Sequence, residues 1–284
     1  MSLDTYALAT RAALKEYLVI TGDDEDNLLE RYLDRATDYI ERYCNRKLKT
    51  RSYTKEIYWG NGSQYLELDQ YPVTKVSRIS IGRTNAFSVT NTGATTWATF
   101  EVTATGVTLN ADGTEVTTPA LTFAGYATIT LLKNAINAVA GLGWTATISD
   151  STIGAKKSSE LLIRPGLSCK SPELAYAEMP DDELNDYHLL NPSEARNAGI
   201  IYYSAGFPTG TEIFVDYTGG VTSVPYALED ACLTLAAYKY HKSKQDPTLR
   251  SENLGDYGYT TADFKNALPP DLIEEINLFR RILI

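Results

Sequence analysis

Residues 224–262, VPYALEDACLTLAAYKYHKSKQDPTLRSENLGDYGYTTA, contain the helix around which the rest of the chain is organised. Pro225 suits a first helical turn, where its missing N–H would have no partner. Ser223 is the expected N-cap, because a serine hydroxyl accepts from the free N–H groups of the first turn. Apolar residues then recur at helical spacing: Ala227, Leu228, Ala231, Cys232, Leu235, Ala236 and Tyr238. The polar segment after Pro247 is marked by glycines and predicts an ordered loop.

A second helix is expected near the N-terminus, over about residues 24–45. Thr21 or Asp23 is the expected cap, and four acidic residues crowd the positive end of the helix dipole. One stripe of its surface is apolar: Leu28, Leu29, Tyr32, Leu33, Ala36, Ile40 and Tyr43. Residues 1–20 carry a weaker helical pattern, and LPPDLIEEINLFRRILI at residues 268–284 predicts a last helix.

Alternating segments between these helices predict strands. RSYTKEIYW (51–59) and QYLELD (64–69) are separated by GNGS, which predicts a hairpin turn. Three more strands are expected in VTKVSRISI (73–81), GIIYYSA (199–205) and TEIFVDYTGG (211–220).

Residues 84–199 differ in composition, being rich in Thr, Ala, Gly and Ser and poor in basic residues. We expect a hairpin turning at Asp112-Gly113. We also expect a strand, a helix and a strand over 127–148, and one more strand in 158–166. The acidic segment 171–195 predicts a surface connection or short helices. The predicted fold class is therefore α+β: a helical connector domain (1–83 plus 200–284), a small bundle with accompanying strands, interrupted by an inserted α+β domain (84–199).

Composition excludes several classes of function. The net charge is −10, and the excess acid lies after residue 83, so a basic face for gripping nucleic acid is not expected. No apolar run approaches the ~20 residues that cross a bilayer, and the N-terminus has no secretion signal, so we expect synthesis in the cytoplasm and no membrane association. Cys44, Cys169 and Cys232 are far apart in sequence and are expected to be buried, unpaired residues.

No set of residues predicts catalysis. His188 and His241 lie in no metal-binding spacing. A calcium site needs about six to eight oxygens, and the acidic cluster Glu178, Asp181, Asp182, Glu183 and Asp186 lacks the EF-hand pattern, so a solvated loop is favoured. Gly141-Leu142-Gly143 lacks the rest of a phosphate loop, and no G-x-S-x-G elbow occurs. We expect a non-enzymatic protein without metal or cofactor.

Several segments together resemble the head–tail connector (adaptor, or head-completion) proteins of long-tailed bacteriophages and prophages. LLERYLDRATDYIERYCNRKL resembles the first helix of that family, and LDQYPVTKVSRISI the segment after it. VDYTGGVTSVPYALEDACLTLAAYKY resembles the second long helix with its lead-in strand. SENLGDYGYT resembles the following loop, and LPPDLIEEINLFRRI the closing helix. The resemblance covers about 1–83 and 205–284, and many members lack an insertion like 84–199.

The resemblance implies a structural virion protein at the head–tail interface. Such proteins form a ring, commonly twelvefold in the virion, beneath the portal protein. The ring extends the DNA channel, through which DNA passes without specific binding, and gives a docking platform for the next neck or tail protein. Partners would be neighbouring copies, the portal and that downstream protein. The candidate intersubunit or channel loop consists of Ser251, Glu252, Asn253, Leu254, Gly255, Asp256 and Tyr257.

The C-terminal segment is a candidate for docking on the portal or a neighbouring copy, because a terminus is loose unless it docks. It consists of Leu278, Phe279, Arg280, Arg281, Ile282, Leu283 and Ile284. Two alternatives remain open: another neck or tail-completion protein, or a carbohydrate- or surface-binding module on the insertion. In the second case Trp97 and Trp144 would stack on sugars.

Overall fold

The computed structural model describes residues 3–148, 150–190, 199–244, 251–254, 257–260 and 270–281. The helices are α1 (Arg11–Leu18), α2 (Asp26–Cys44), α3 (Ile129–Asn137), α4 (Tyr226–Lys244) and α5 (Pro270–Asn277). The strands are β1 (Arg51–Trp59), β2 (Tyr65–Glu67), β3 (Val73–Ile81), β4 (Arg83–Asn91), β5 (Ala98–Val102), β6 (Val107–Ala111), β7 (Thr114–Glu115), β8 (Trp144–Ile148), β9 (Arg164–Ser168), β10 (Ala175–Pro180), β11 (Tyr187–Leu189), β12 (Ile200–Tyr203), β13 (Glu212–Gly219), β14 (Ser251–Leu254) and β15 (Tyr257–Thr260). Helices and antiparallel sheets occur together, and the α+β class is confirmed.

Helices α1, α2, α4 and α5 share one hydrophobic core, although α2 and α4 lie far apart in sequence. Fully buried residues of both long helices meet in it, including Leu33 and Ile40 of α2 and Leu228 and Leu235 of α4. Burying side chains of this size stabilises by about 1.5–3 kcal/mol each, so the two ends of the chain hold each other in place. No helix among the described residues is long and apolar enough to cross a membrane.

The helix starts differ slightly from the sequence prediction. The N-cap of α2 is Glu25, whose carbonyl oxygen accepts from the N–H groups of Leu28 and Leu29, and no side chain of Thr21 or Asp23 caps this end. The carbonyl oxygen of Pro225 accepts from Leu228 and Glu229, so α4 begins one residue after the proline. Both helices therefore begin a few residues after the side chains that were predicted to cap them. Packing of the apolar stripe supplies most of the stability of a helix, so the helix forms without that capping bond.

The central sheet has the order β1-β13-β3 and is antiparallel. The predicted hairpin between residues 51–59 and 64–69 is wrong: β1 pairs with β13, whereas β2 pairs with β12 in a second sheet, β11-β12-β2. Residues 60–63 instead bond to 207–211, and a Cβ on Gly60 would lie 2.0 Å from the carbonyl oxygen of Pro208. Long-range pairing thus outweighs the local turn signal.

The insertion contains the sheets β10-β4-β8 and β7-β6-β5-β9, with α3 packed on β8 and β4. They enclose a hydrophobic cluster of their own, between Ala86 and Met179. The predicted turn at Asp112-Gly113 is confirmed: both residues have positive φ (49° and 83°), as the tight turn between β6 and β7 requires. The strand predicted at the start of residues 127–148 is wrong: residues 116–128, all described, contain no strand, and the hydroxyl of Thr128 caps α3 instead.

The prediction for residues 171–195 is also wrong, because the segment contributes two strands. β10 pairs with β4, and β11 pairs with β12. Ala175, Ala177 and Met179 alternate into the core. Two alanines carry this period-two signal only weakly, and the surrounding acidic residues obscure it.

Candidate functional site

The predicted docking segment begins at an exposed residue and continues along the chain's own core. Leu278 is 84% exposed, whereas Phe279 packs against the helical cluster. The backbone N–H of Arg281 donates to the carbonyl oxygen of Cys44 at 2.9 Å, and its guanidinium pairs with Asp69 at 2.6 Å. Ile282, Leu283 and Ile284 lie outside the described residues. Residues 279–281 are therefore bonded within the chain itself, and in the described part of the segment Leu278 is an exposed apolar group.

A buried arginine connects three segments at one end of the helical unit, which consists of α1, α2, α4 and α5. Arg46, 6% exposed, donates from Nε to the carbonyl oxygen of Phe279 at 2.8 Å and from Nη1 to that of Tyr71 at 2.7 Å. Its guanidinium lies 3.8 Å from the centre of the Tyr71 ring, and burial lowers its pKa. Arg46 thus joins α2, the start of β3 and the segment after α5. A positive charge near a helix C-terminus is expected from the helix dipole alone, so the sequence gives no sign of these long-range contacts.

The candidate loop 251–257 is part of a hairpin. Strands β14 and β15 pair antiparallel, Ser251 opposite Thr260 and Leu254 opposite Tyr257. Gly255 and Asp256 lie outside the described residues. The expectation of an unpaired loop is corrected to two short strands, and its intersubunit or channel role stays a prediction.

A junction of ions and backbone bonds joins the central sheet to the insertion. Arg83, at the start of β4, pairs with Glu212 of β13 (Nε to Oε2, 2.6 Å) and with Glu178 of β10 (2.7 Å). Arg164 also pairs with Glu178. Burial raises the pKa of Glu178, but hydrogen bonds from both guanidinium groups outweigh it, and the pKa lies below its usual value. Charge pairs thus fix the insertion to the sheet at this point.

Lys55 makes a second connection across the same junction. It occupies the irregularity of β1 with φ 53°, and its Nζ donates to the carbonyl oxygens of Ser159 (2.9 Å) and Leu161 (2.7 Å). Burial lowers the pKa of this ammonium group. Arg78 of β3 pairs with Glu160 at 3.1 Å beside it. Sequence reasoning missed these residues, because a lysine within an alternating strand normally faces solvent.

The acidic residues of the insertion do not converge. Glu178 is in the arginine pairs, Asp182 pairs with Lys156 at 2.7 Å, and the backbone N–H of Asp182 donates to the side chain of Asp181. Among the described residues, no group of three or more His, Cys, Asp or Glu side chains could hold a metal ion. His188 stacks on Tyr202 in the sheet β11-β12-β2, and His241 meets the edge of Tyr240 near the end of α4.

The two tryptophans of the sugar-binding alternative have different environments. Trp144 is 4% exposed and belongs to the core of the insertion, so its proposed role in stacking on a sugar is wrong. Trp97 is 45% exposed.

The three cysteines are buried and free, as the sequence predicts. Burial is the main cause that raises the pKa of the Cys169 thiol to about 12 and those of the Cys44 and Cys232 thiols to about 11. As thiols of raised pKa they are unreactive core residues.

The N-terminal part of the chain, which includes α1 and α2, matches a known protein family. Residues 12–103 match the family described as phage gp6-like head-tail connector protein. The matched connector segment is about a third of the chain. It runs from α1 through α2 and the first strands to the end of β5. The resemblance to head–tail connectors is confirmed there, and the segment extends past the predicted boundary at residue 83.

Comparison with solved structures shows a weaker likeness. A structure described as the neck of an empty GTA particle, computed with C6 symmetry, aligns with 100% of this chain and 95% of that chain. The identity is 15% and the TM-score is 0.38. No curated protein matches the chain.

Proposed function

We propose that this protein is a structural connector of a phage or prophage neck, which joins a portal to the tail side around the path of the DNA. The observation that carries the proposal is the connector match over residues 12–103. The matched helix α2 packs in one core with α4 and α5 from the other end of the chain. A rigid helical unit of this kind suits a part that transmits contacts between neighbouring proteins.

The finer features of the proposal follow from the resemblance and from charge. We propose a ring of copies in the virion, commonly twelvefold in this family, docked beneath the portal and offering a platform to the next neck or tail protein. The net charge of −10 suits a channel wall, because fixed cations would hold the DNA phosphates. The protein would act without catalysis or cofactor.

Native mass spectrometry of the purified full chain, alone and with its candidate portal, tests the proposal. We expect a closed ring, alone or only on the portal. A chain that stays monomeric and does not bind the portal contradicts it. Binding to a tail-side protein in place of the portal would favour the neighbouring role of a tail-completion protein.

A further inference from the structure

The outer side of β1 is an open edge of the central sheet. The sheet has the order β1-β13-β3, so β1 pairs with β13 on one side only. Among the described residues, no backbone hydrogen bond joins the outer side of β1 to another segment. The irregularity of β1 lies before Glu56, so residues 56–59 form a regular strand of four residues at this edge. Unpaired N–H and C=O groups on a strand edge are a template for the strand of another chain.

The free backbone groups of this edge belong to Ile57 and Trp59. Just beyond β1, the N–H of Gly60 donates to the carbonyl oxygen of Thr211 at 2.9 Å, on the side of β13. The backbone groups of successive residues in a strand point to opposite sides, so those of Ile57 and Trp59 point outward. Their side chains are 50% and 64% exposed. A strand that pairs here would gain backbone hydrogen bonds and cover two large apolar side chains.

Other sheet edges of this chain are protected against such pairing. On β8, the side chain of Asn137 bonds to both the N–H and the carbonyl oxygen of Ala146. Beside β3, the N–H of Leu184 donates to the carbonyl oxygen of Ile79 at 2.8 Å. The edge strand β9 contains Pro165, which has no N–H, and β2, β7 and β11 have at most three residues. Folded proteins blunt their sheet edges in these ways, and residues 56–59 of β1 lack such protection among the described contacts.

The hairpin β14–β15 is a second element that lacks a partner. Its strands pair antiparallel, with Glu252 opposite Tyr259, and form a sheet with no third strand among the described residues. A two-stranded hairpin is at best marginally stable in water and needs a third strand or a packed face. A strand edge on another molecule would supply that third strand.

We propose that the β14–β15 hairpin of one copy adds to the β1 edge of a second copy. The resulting sheet has five strands, two from one chain and three from the other. The lengths agree, because β14 and β15 have four residues each and the regular part of the β1 edge also has four. The pairing satisfies the outward backbone groups of Ile57 and Trp59 and gives the hairpin its third strand.

A second copy is the favoured occupant, because one chain carries both the open edge and the hairpin, and its own sheets do not join them. Contacts between two different surfaces of the same chain are heterologous, and they close into a ring when the rotation per subunit fits. The inference rests on the proposed function, since it names the surfaces through which copies of a connector meet. A strand of the portal or of a tail protein on the β1 edge is the competing outcome.

Cross-linking between cysteine variants of the full chain, with and without the portal, tests the contact. One variant carries Trp59→Cys, and the other carries Glu252→Cys or Tyr259→Cys, which lie opposite each other in the hairpin. The three native cysteines are buried and stay unmodified. With a short bismaleimide we expect a covalent dimer of the chain when the two kinds of variant are mixed. Leu131→Cys, at a leucine that is 49% exposed on α3, replaces Trp59→Cys in the control and should give no dimer.

A charged edge tests the same contact by sedimentation velocity. Ile57→Lys with Trp59→Lys should weaken self-association at least about tenfold, because lysines on an edge strand oppose strand addition. The matched control, Leu131→Lys with Leu174→Lys, changes two leucines that are each 49% exposed and should assemble as the parent does. Circular dichroism checks that all variants fold. In the parent, the amides of residues 57–59 should exchange more slowly in the assembly than in the monomer.

Absence of the cross-link in an assembled ring, equal amide exchange at residues 57–59 in ring and monomer, or unchanged assembly of the lysine variant would overturn the inference. Slow exchange at residues 57–59 on the portal without a covalent dimer would give the edge to the portal and overturn it too. A ring that forms without this contact leaves the connector proposal standing. A chain that forms no ring and does not bind the portal contradicts both.

Discussion

At the residue scale, buried hydroxyl groups of tyrosine are gathered around one carboxylate. Tyr58 donates to Oε2 of Glu56 at 2.6 Å, and Tyr217 donates to the same oxygen. The ring of Tyr53 stacks on Tyr217 at 5.0 Å between centroids. Burial and these bonds raise the pKa of Tyr217, and burial is the main cause that raises that of Tyr53 to about 12. The hydroxyls of Tyr58 and Tyr217 remain protonated and act as donors to Glu56.

Tyr217→Phe should therefore destabilise the protein without changing its shape. A hydrogen bond to a charged group contributes about 1.5–3 kcal/mol, and because Tyr58 still serves Glu56 we expect a loss at the lower end. The free energy of unfolding from urea titration measures it. Tyr65→Phe, at a ring that is 52% exposed, is the control and should stay within about 0.5 kcal/mol of the parent. Equal losses for the two variants would contradict this account of the Glu56 cluster.

Asp112 illustrates a carboxylate held by backbone groups. The N–H of Trp97 (3.0 Å) and that of Thr96 (2.9 Å) donate to it, and these two bonds lower its pKa below the ordinary 3.8. Since the folded-state pKa is depressed, the stabilisation is present above pH 3.8 and is lost as the pH falls through the folded value.

Asp112→Asn should flatten this part of the pH dependence. Asparagine tolerates the positive φ of the position, so the turn is kept. We expect a difference in unfolding free energy from the parent that is constant above about pH 5 and shrinks under more acid conditions. Chemical denaturation at a series of pH values measures it, and an NMR titration of the Asp112 carboxyl gives its pKa. A pKa at or above 3.8 would show that the backbone bonds do not favour the ionised form.

At the element scale, β1 and β3 hold the insertion through polar groups. The hydrophobic clusters of the sheet and the insertion share no residue, and Arg83, Arg78 and Lys55 connect the two through polar contacts. When the hydrogen bonds and ion pairs of such a polar interface are removed, the two parts of the chain that it joins move relative to each other.

Lys55→Met keeps the aliphatic stem and removes the two donors. The carbonyl oxygens of Ser159, which is exposed, and of Leu161, which is buried, lose their bonds. An unsatisfied buried group such as the Leu161 oxygen costs about 1–3 kcal/mol. We expect faster amide exchange in residues 158–161 by hydrogen–deuterium exchange, with the helical unit unchanged. Lys75→Met, an exposed lysine of β3, is the matched control and should behave as the parent. Unchanged exchange at 158–161 would mean that Arg83 and Arg78 hold the junction unaided.

At the scale of the whole molecule, two roles of the segment after α5 must be distinguished: packing in the core of the chain and the proposed docking on a partner. Phe279 packs in the helical core, whereas Leu278 faces solvent. A deletion of residues 279–284 would remove both packing and any docking surface, and so cannot distinguish them.

Single substitutions separate the two roles. Phe279→Ala should lower the free energy of unfolding by about 1–3 kcal/mol, less than a fully buried phenylalanine would lose. Leu278→Ser should leave stability within about 0.5 kcal/mol of the parent and weaken portal binding if the segment docks. Urea titration and native mass spectrometry with the portal measure the two effects. Portal affinity that survives Leu278→Ser would remove Leu278 from the docking surface.

Local sequence is sufficient to predict the long helices, most strand positions and the turn at Asp112-Gly113. These features depend on periodicity and on residues whose φ preferences act over a few positions. The motifs that resemble the connector family lie in the same segments, so the amino-acid sequence carries that resemblance without help from long-range contacts.

Contacts between distant parts of the folded chain decide which strands pair, why GNGS does not close a hairpin, and that the segment 171–195 enters two sheets. They also make Trp144 a core residue and let Lys55 and Arg46 connect distant segments. The energy of such contacts exceeds the local preference, and because their partners lie far away in the chain they leave little signal in the nearby sequence.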